Sequence, residues 1–311
     1  MDNQEVCDTT NSVTKYPEVE VKTLQRLEEE LNKLNNLWVF RGHEEAEWKL
    51  LSSYDRARED LLKLSDSYRD NFQPRLYIRE CDGIQYAKEL LHKKDFSNIE
   101  MLAYLQHYGV PTRLLDFTFS FYVAFAFAFE RKVRKTRAVF AINLEKMMQQ
   151  YQFSEEEKNL MENSEETGNC EADYDEGFYG EDVVAERWRF VPYNPRYIQK
   201  FRSRANEYIK DFTIKNFNEI SATVIPYFAN TNNPRIVAQN GLFLFPTKLE
   251  CTFEENLSSY LEKNKNEDLV KKIVFHVDCN DWAYDLLRKL NLSSRVLYPD
   301  LQGLIRSISL L

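Results

Sequence analysis

The sequence predicts an α+β fold, a mixed sheet flanked by helices, and three observations lead there. Apolar residues recur at helical spacing in some stretches and at strand spacing in others, without the regular β-α-β succession of a doubly wound sheet. Of the 311 residues, 43% are hydrophobic, with 21 Phe and 18 Tyr, enough for one large core. No stretch approaches the roughly 20 uninterrupted apolar residues that span a membrane.

The elements follow in order. Residues 1–16 read as a flexible solvated tail, and 17–311 as a single domain. Val19–Leu34 sets Leu24, Leu27, Leu31 and Leu34 on one side of an amphipathic helix. Leu37–Phe40 is a short apolar strand ending at Arg41-Gly42. A looser helical zone runs from Asp55 to Lys94, best patterned over Arg75–Leu91. Asn98–Tyr108 reads as a helix closed by Gly109 as its cap, with Pro111 just beyond. Leu114–Thr118 is a strand. Phe119–Phe129 alternates Phe with Ala as a strand would, yet it is rich in Ala and apolar all round, which favours a buried helix with Ser120 as N-cap. Arg137–Ile142 is a strand. From Val183 the chain is basic and aromatic, then helical to about Lys215. Strands are expected at Ala222–Ile225, Arg235–Val237, Leu242–Phe245 and Lys272–Val277, and helices at Asp281–Leu290 and Asp300–Ser309.

Charge and cysteine narrow the setting. The net charge is −9, but residues 154–182 alone hold twelve Asp/Glu and one Lys, so the remainder is close to neutral. That segment reads as an acidic insertion with too little apolar content to pack by itself. Residues 187–204 carry six basic and five aromatic residues and no acid, a mixture suited either to nucleic acid or to a solvated helix with buried rings. The five cysteines are scattered, without a Cys-x-x-Cys pair, and the N-terminus lacks a signal peptide's basic-then-apolar order. Reduced thiols in a cytoplasmic protein are expected. Four histidines without paired spacing argue against a metal site.

The chemistry concentrates between Gln106 and Ser120. Gln106, His107, Thr112, Arg113, Asp116, Thr118 and Ser120 lie between two apolar blocks, the make-up of a small-molecule pocket. Arg41, followed by Gly42, either offers a guanidinium to a phosphate or carboxylate or braces a neighbouring loop through its carbonyls or Asp116. Asp116, Thr118 and Ser120 share one face of an extended backbone. His107 ends a helix, as a general base or as a partner of the helix dipole. Arg41, Gln106, Asp116 and Thr118 are expected to converge on one concave surface. Half of the eight glycines (Gly42, Gly109, Gly241 and Gly303) fall at motif positions, which implies close backbone approach or positive φ there.

These residues carry a resemblance. Phe40-Arg41-Gly42, the block from Gln106 to Thr118, the set Arg235, Gln239, Gly241 and Phe243, and Pro299-Asp300 with Gly303 resemble the FRG domain. The arrangement is also similar to ADP-ribosyltransferases, which have an aromatic-Arg-Gly strand end, a Ser-Thr-Ser strand leading into an Ala/Phe helix, and a later strand bearing Glu or Gln. Asp116 stands where the first Ser of that pattern would be, and no Glu-x-Glu or Gln-x-Glu lies near Gln239. The resemblance implies a nucleotide ligand, NAD first. Arg41 would hold the pyrophosphate, Thr118 the nicotinamide ribose, and Gln239 would polarise the reacting sugar, for ADP-ribosyl transfer or NAD glycohydrolysis. Arg235 would line the same pocket. The alternatives are a non-catalytic nucleotide sensor and a nucleic-acid-associated protein acting through 187–204.

Overall fold

The computed structural model describes residues 16–34, 37–64, 76–148, 206, 209, 222–229, 233–264 and 269–309. The acidic insertion and the basic-aromatic run lie outside these residues.

Seven strands are present: β1 (Glu18–Val21), β2 (Trp38–His43), β3 (Leu115–Thr118), β4 (Arg137–Asn143), β5 (Val224–Tyr227), β6 (Gly241–Pro246) and β7 (Val270–Phe275). They form one sheet in the order β1-β7-β4-β2-β3-β6-β5. The β1–β7 pair is parallel and every other pair antiparallel. The eleven described helices are α1 (Leu24–Leu31), α2 (Ser53–Leu64), α3 (Leu76–Leu90), α4 (Asn98–His107), α5 (Phe121–Ala128), α6 (Leu144–Met148), α7 (Pro234–Gln239), α8 (Phe253–Asn264), α9 (Asn280–Lys289), α10 (Ser294–Leu297) and α11 (Leu301–Ser309). The fold is α+β, as expected.

Both faces of the sheet are covered. On one, Val39, Leu115, Phe117, Phe140, Leu242 and Leu244 pack with Phe253, Leu257 and Tyr260 of α8. On the other, Trp38, Phe40, Val139, Ala141, Ile273 and Phe275 pack with α5 and with Ala283 and Leu287 of α9. Toward the β5 edge, Ile225, Phe243 and Phe245 meet Ile84 of α3 and Met101 and Leu102 of α4.

Local signals formed most of these elements. Ser97 and Glu100 make a reciprocal capping box at the start of α4. At its end the Gly109 and Val110 amides return to the Gln106 and Leu105 carbonyls at 2.9 and 3.1 Å, with Gly109 at φ 86°. Phe121–Ala128 is the buried helix expected there, and the Ser120 hydroxyl accepts from the Val123 amide at 3.4 Å.

Several expectations are corrected. Val19–Leu34 is not one helix: Glu18–Val21 alternates polar and apolar residues and pairs with β7, while Thr23 caps a shorter helix by accepting from the Arg26 amide at 3.2 Å. Arg235–Val237 is helix, not strand, because Pro234 occupies its first turn and the Asn233 side chain accepts from the Arg235 amide at 3.0 Å. Helix α8 has no counterpart among the expected elements, although Thr252 and Glu255 form a capping box ahead of Phe253, Leu257 and Tyr260. Tyr16, expected in the tail, is buried edge-on against Phe140. Cys81 and Cys279 are free thiols, but Cys251 is disulfide-bonded, so reduced thiols throughout are not found.

A close backbone contact joins β2 to α5. A Cβ on Gly42 would overlap the Ala124 carbonyl and stand 2.7 Å from the Ala128 nitrogen. Only glycine lets the helix backbone lie on the strand at that point. Gly42→Ala is therefore expected to cost more than about 3 kcal/mol in urea unfolding, since backbone on both sides must move. Gly83, within α3, is the opposite case: a methyl group there would have no neighbour within 4 Å. Gly83→Ala is expected to stabilise by about 0.5–1 kcal/mol through helix propensity. A Gly42→Ala protein with the parent's unfolding midpoint would refute the close approach.

Candidate functional site

The sheet is incomplete beside Arg41. Strand β2 pairs with β4 along its whole length, from Trp38 opposite Asn143 to His43 opposite Ala138. Against β3 it pairs only where Phe40 faces Thr118. Beyond that point the strands part, and the Arg41 guanidinium occupies the split. Its Nη1 donates to the Asp116 carbonyl at 2.8 Å, an acceptor left free by the missing ladder, and lies 4.0 Å from Asp116 Oδ2. Arg41 Nε donates to His43 Nε2 at 3.2 Å. Because that nitrogen accepts, the His43 proton sits on Nδ1, which faces the Trp48 carbonyl at 3.3 Å. Two residues apart on one strand, Arg41 and His43 share a face, so each fixes the other.

Electrostatics agree with this arrangement. Burial first, then the Arg41 charge, pushes His43 down from 6.5 to about 3, so the ring stays neutral and able to accept. Burial depresses Arg41 most; Asp116 opposes the shift and Arg56 of α2 adds to it. Arg41 remains a cation at any working pH. It is 21% exposed, and its Nη2 has no hydrogen-bond partner among the described residues. Asp116, 60% exposed, also accepts from Gln106 Nε2 at 2.9 Å, and Gln106 Oε1 accepts from the Thr112 hydroxyl.

Other expected site residues are engaged elsewhere. Thr118 is on the opposite face from Arg41, since it pairs with Phe40 while Arg41 pairs with Phe140. Its hydroxyl donates to the Gln239 carbonyl at 2.7 Å and accepts from the Ser120 amide at 3.0 Å. Asp116, two residues before Thr118, is on that same face and meets Arg41 through its carbonyl across the split. Of the four residues expected on one concave surface, Arg41, Asp116 and Gln106 are therefore linked by hydrogen bonds and Thr118 is not. Gln239 ends α7 and donates its side-chain amide to the Leu297 carbonyl at 3.0 Å. Arg235 stacks on Tyr298 at 4.6 Å, with Arg306 on the same ring at 4.2 Å. Arg113 is 1% exposed: it pairs with Glu80 of α3, donates to the Pro246 and Thr247 carbonyls at 3.2 Å each, and lies over Phe245. Ser120 caps α5. His107 is half-buried with its ring 5.2 Å from Tyr108. Gly42 is spaced for α5 rather than for a ligand, and Gly303 does the same for Tyr298, whose carbonyl a Cβ there would overlap. Gly241 makes only ordinary contacts, so neither close approach nor positive φ accounts for it.

Sequence reasoning missed His43, Arg56 and Tyr298. The period-two spacing from Arg41 was the available signal for His43. Among the described residues, no group of three His, Cys, Asp or Glu side chains could hold a metal. No described helix is long and apolar enough to cross a membrane.

The depressed His43 makes a test. The unfolded chain takes up this proton below pH 6.5 while the native protein refuses it until about pH 3, so stability falls as pH drops through that window. At pH 5 the loss from this group is about 2 kcal/mol relative to pH 7. His43→Gln keeps an acceptor for Arg41 and a donor for Trp48 without a titratable proton. Urea midpoints at pH 7 and 5 are expected to converge in the variant by that amount; an unchanged pH dependence would remove His43 from this role.

Comparison with known proteins covers the same region. Residues 36–137 match the family model of the FRG domain, while the later elements around Arg235 and Pro299 lie outside the match. No curated protein and no solved structure is significantly similar to the chain, so the likeness to ADP-ribosyltransferases has no support from that side. The chain thus carries an FRG domain over residues 36–137, the stretch that supplies Arg41, Gln106 and Asp116.

Proposed function

We propose that this protein binds a nucleotide by its phosphates, NAD first among candidates, at the split between β2 and β3. One observation carries the reading: Arg41 is held rigidly by His43 and the Asp116 carbonyl, yet the Nη2 edge of its guanidinium has no partner among the described residues. A fixed, partly buried cation with an open edge is suited to an anionic oxygen. Arg56, close enough to depress Arg41, supplies a second positive charge, and among the described residues its own Nη1 is used only on the Leu51 carbonyl at 2.7 Å. Asp116 and Gln106 at the rim offer an acceptor and an amide to sugar hydroxyls.

Binding without chemistry fits this geometry better than ribosyl transfer. The Gln239 amide is committed to Leu297 and the Thr118 hydroxyl to Gln239. Both would have to release these bonds to act on a nicotinamide ribose, and an unpaired buried polar group costs about 1–3 kcal/mol.

Calorimetry with NAD, ADP-ribose and inorganic pyrophosphate tests the reading. A charge-assisted hydrogen bond is worth about 1.5–3 kcal/mol, so Arg41→Ala is expected to weaken binding roughly ten- to a hundredfold or more. Arg41→Lys restores the charge but not the planar fork, and recovers part of the loss. Arg56→Ala is expected to weaken binding about tenfold with the melting temperature unchanged, because its side chain is exposed. Folded Arg41→Ala and Arg56→Ala proteins that bound all three ligands like the parent would overturn the proposal, as would a parent that bound none.

A further inference from the structure

A cavity of about 610 Å³ lies in the helical layer over α5, and shares no lining residue with the split beside Arg41. Its size is that of a small-molecule site. Phe127 and Phe129 at the end of α5, Leu287 of α9, and Leu292 and Leu297 beside and within α10 give it apolar walls. The charged groups at its mouth are not equivalent. Glu130 is answered by Arg306, whose Nη1 lies 2.8 Å from both carboxylate oxygens. Arg288 is paired with Asp285 on its own helix. Lys132 is exposed and has neither an ion pair nor a hydrogen bond among the described residues. Ser293 precedes α10 without a side-chain capping bond, so its hydroxyl also remains available there.

The geometry points to a second binding site, for a small apolar molecule bearing one acidic group. Its body lies against Phe127, Phe129 and Leu297, where each buried carbon is removed from water. Its carboxylate or sulfonate meets the Lys132 ammonium, the rim cation left uncompensated among the described residues, with the Ser293 hydroxyl as a further donor. A neutral apolar ligand would leave Lys132 unused, and a cationic one would meet it as a like charge. The acid is therefore the complementary class.

The probe is 1-anilinonaphthalene-8-sulfonate, an aromatic body with a single acid, titrated by fluorescence into the full chain. Saturable binding at one site per chain is expected. Ser294→Trp, which projects a ring into the cavity, is expected to abolish the signal. Lys132→Glu, at an exposed position that does not bear on folding, is expected to weaken binding at least tenfold and to reverse its salt dependence, since added salt screens the new repulsion. Tyr86→Ser, which removes an exposed ring remote from the lining, should leave the titration unchanged. Should Ser294→Trp fail to fold, Lys132→Glu decides. A Lys132→Glu protein that binds the probe as tightly as the parent overturns the site, as does non-saturable or absent binding to the parent.

Discussion

The close approach of α5 to β2 at Gly42 is the constraint on which the rest of the architecture depends. With the helix backbone resting on the strand, its alanines and phenylalanines fill one side of the sheet with little depth to spare. Helix α5 is joined to β3 by a link of two residues, Phe119 and Ser120, and the Thr118 hydroxyl ties that link by accepting from the Ser120 amide. Where α5 sits therefore decides where β3 ends, at the Thr118 that faces Phe40 of β2. The split that receives Arg41 is thus a product of helix packing on the far face.

Three arginines show how the same side chain serves different ends. Arg113 is saturated by Glu80, two carbonyls and the Phe245 ring. Arg137 is fully buried over Phe129 and donates to the Asn280 side chain at 2.7 Å and to several loop carbonyls. Both hold segments distant in sequence at the cost of desolvating a charge, which such networks offset only when nearly complete. Among the described residues Arg41 is anchored through Nε and Nη1 alone. Arg137 also leaves one nitrogen, Nε, without a partner among the described residues, but that atom is sealed from solvent, whereas Arg41 is 21% exposed. Solvent access to an open donor, rather than motif membership, separates the scaffold arginines from the one suited to a ligand.

What was legible in the sequence was local. The capped helix ending at Gly109, the Ser120 cap and the central strand Arg137–Asn143 rest on neighbours a few residues apart, and those signals act without tertiary help. Within the polar block from Gln106 to Ser120, Asp116 does meet Arg41, and Gln106 joins it through Asp116. Arg113 and Thr118 were not separable from them, because their partners, Glu80 and Gln239, are 33 and 121 residues away. Periodicity cannot report such distances. At Arg235–Val237 three residues are too few to show a period, and Pro234 was the better guide. The Glu18–Val21 strand was hidden by an adjacent helical pattern of stronger apolar content.

The parallel pairing of β1 with β7 joins residues 18–21 to residues 272–275. During synthesis the amino-terminal strand leaves the ribosome some 250 residues before the edge it joins. Strand β4, central in the finished sheet, likewise waits with one side open until β7 has been made. An unpaired edge of that kind invites pairing with other nascent chains. The sheet therefore closes late and from its carboxyl-terminal end, and translation rate and chaperone supply bear on the yield of native protein more than they would for a sheet assembled from neighbouring hairpins.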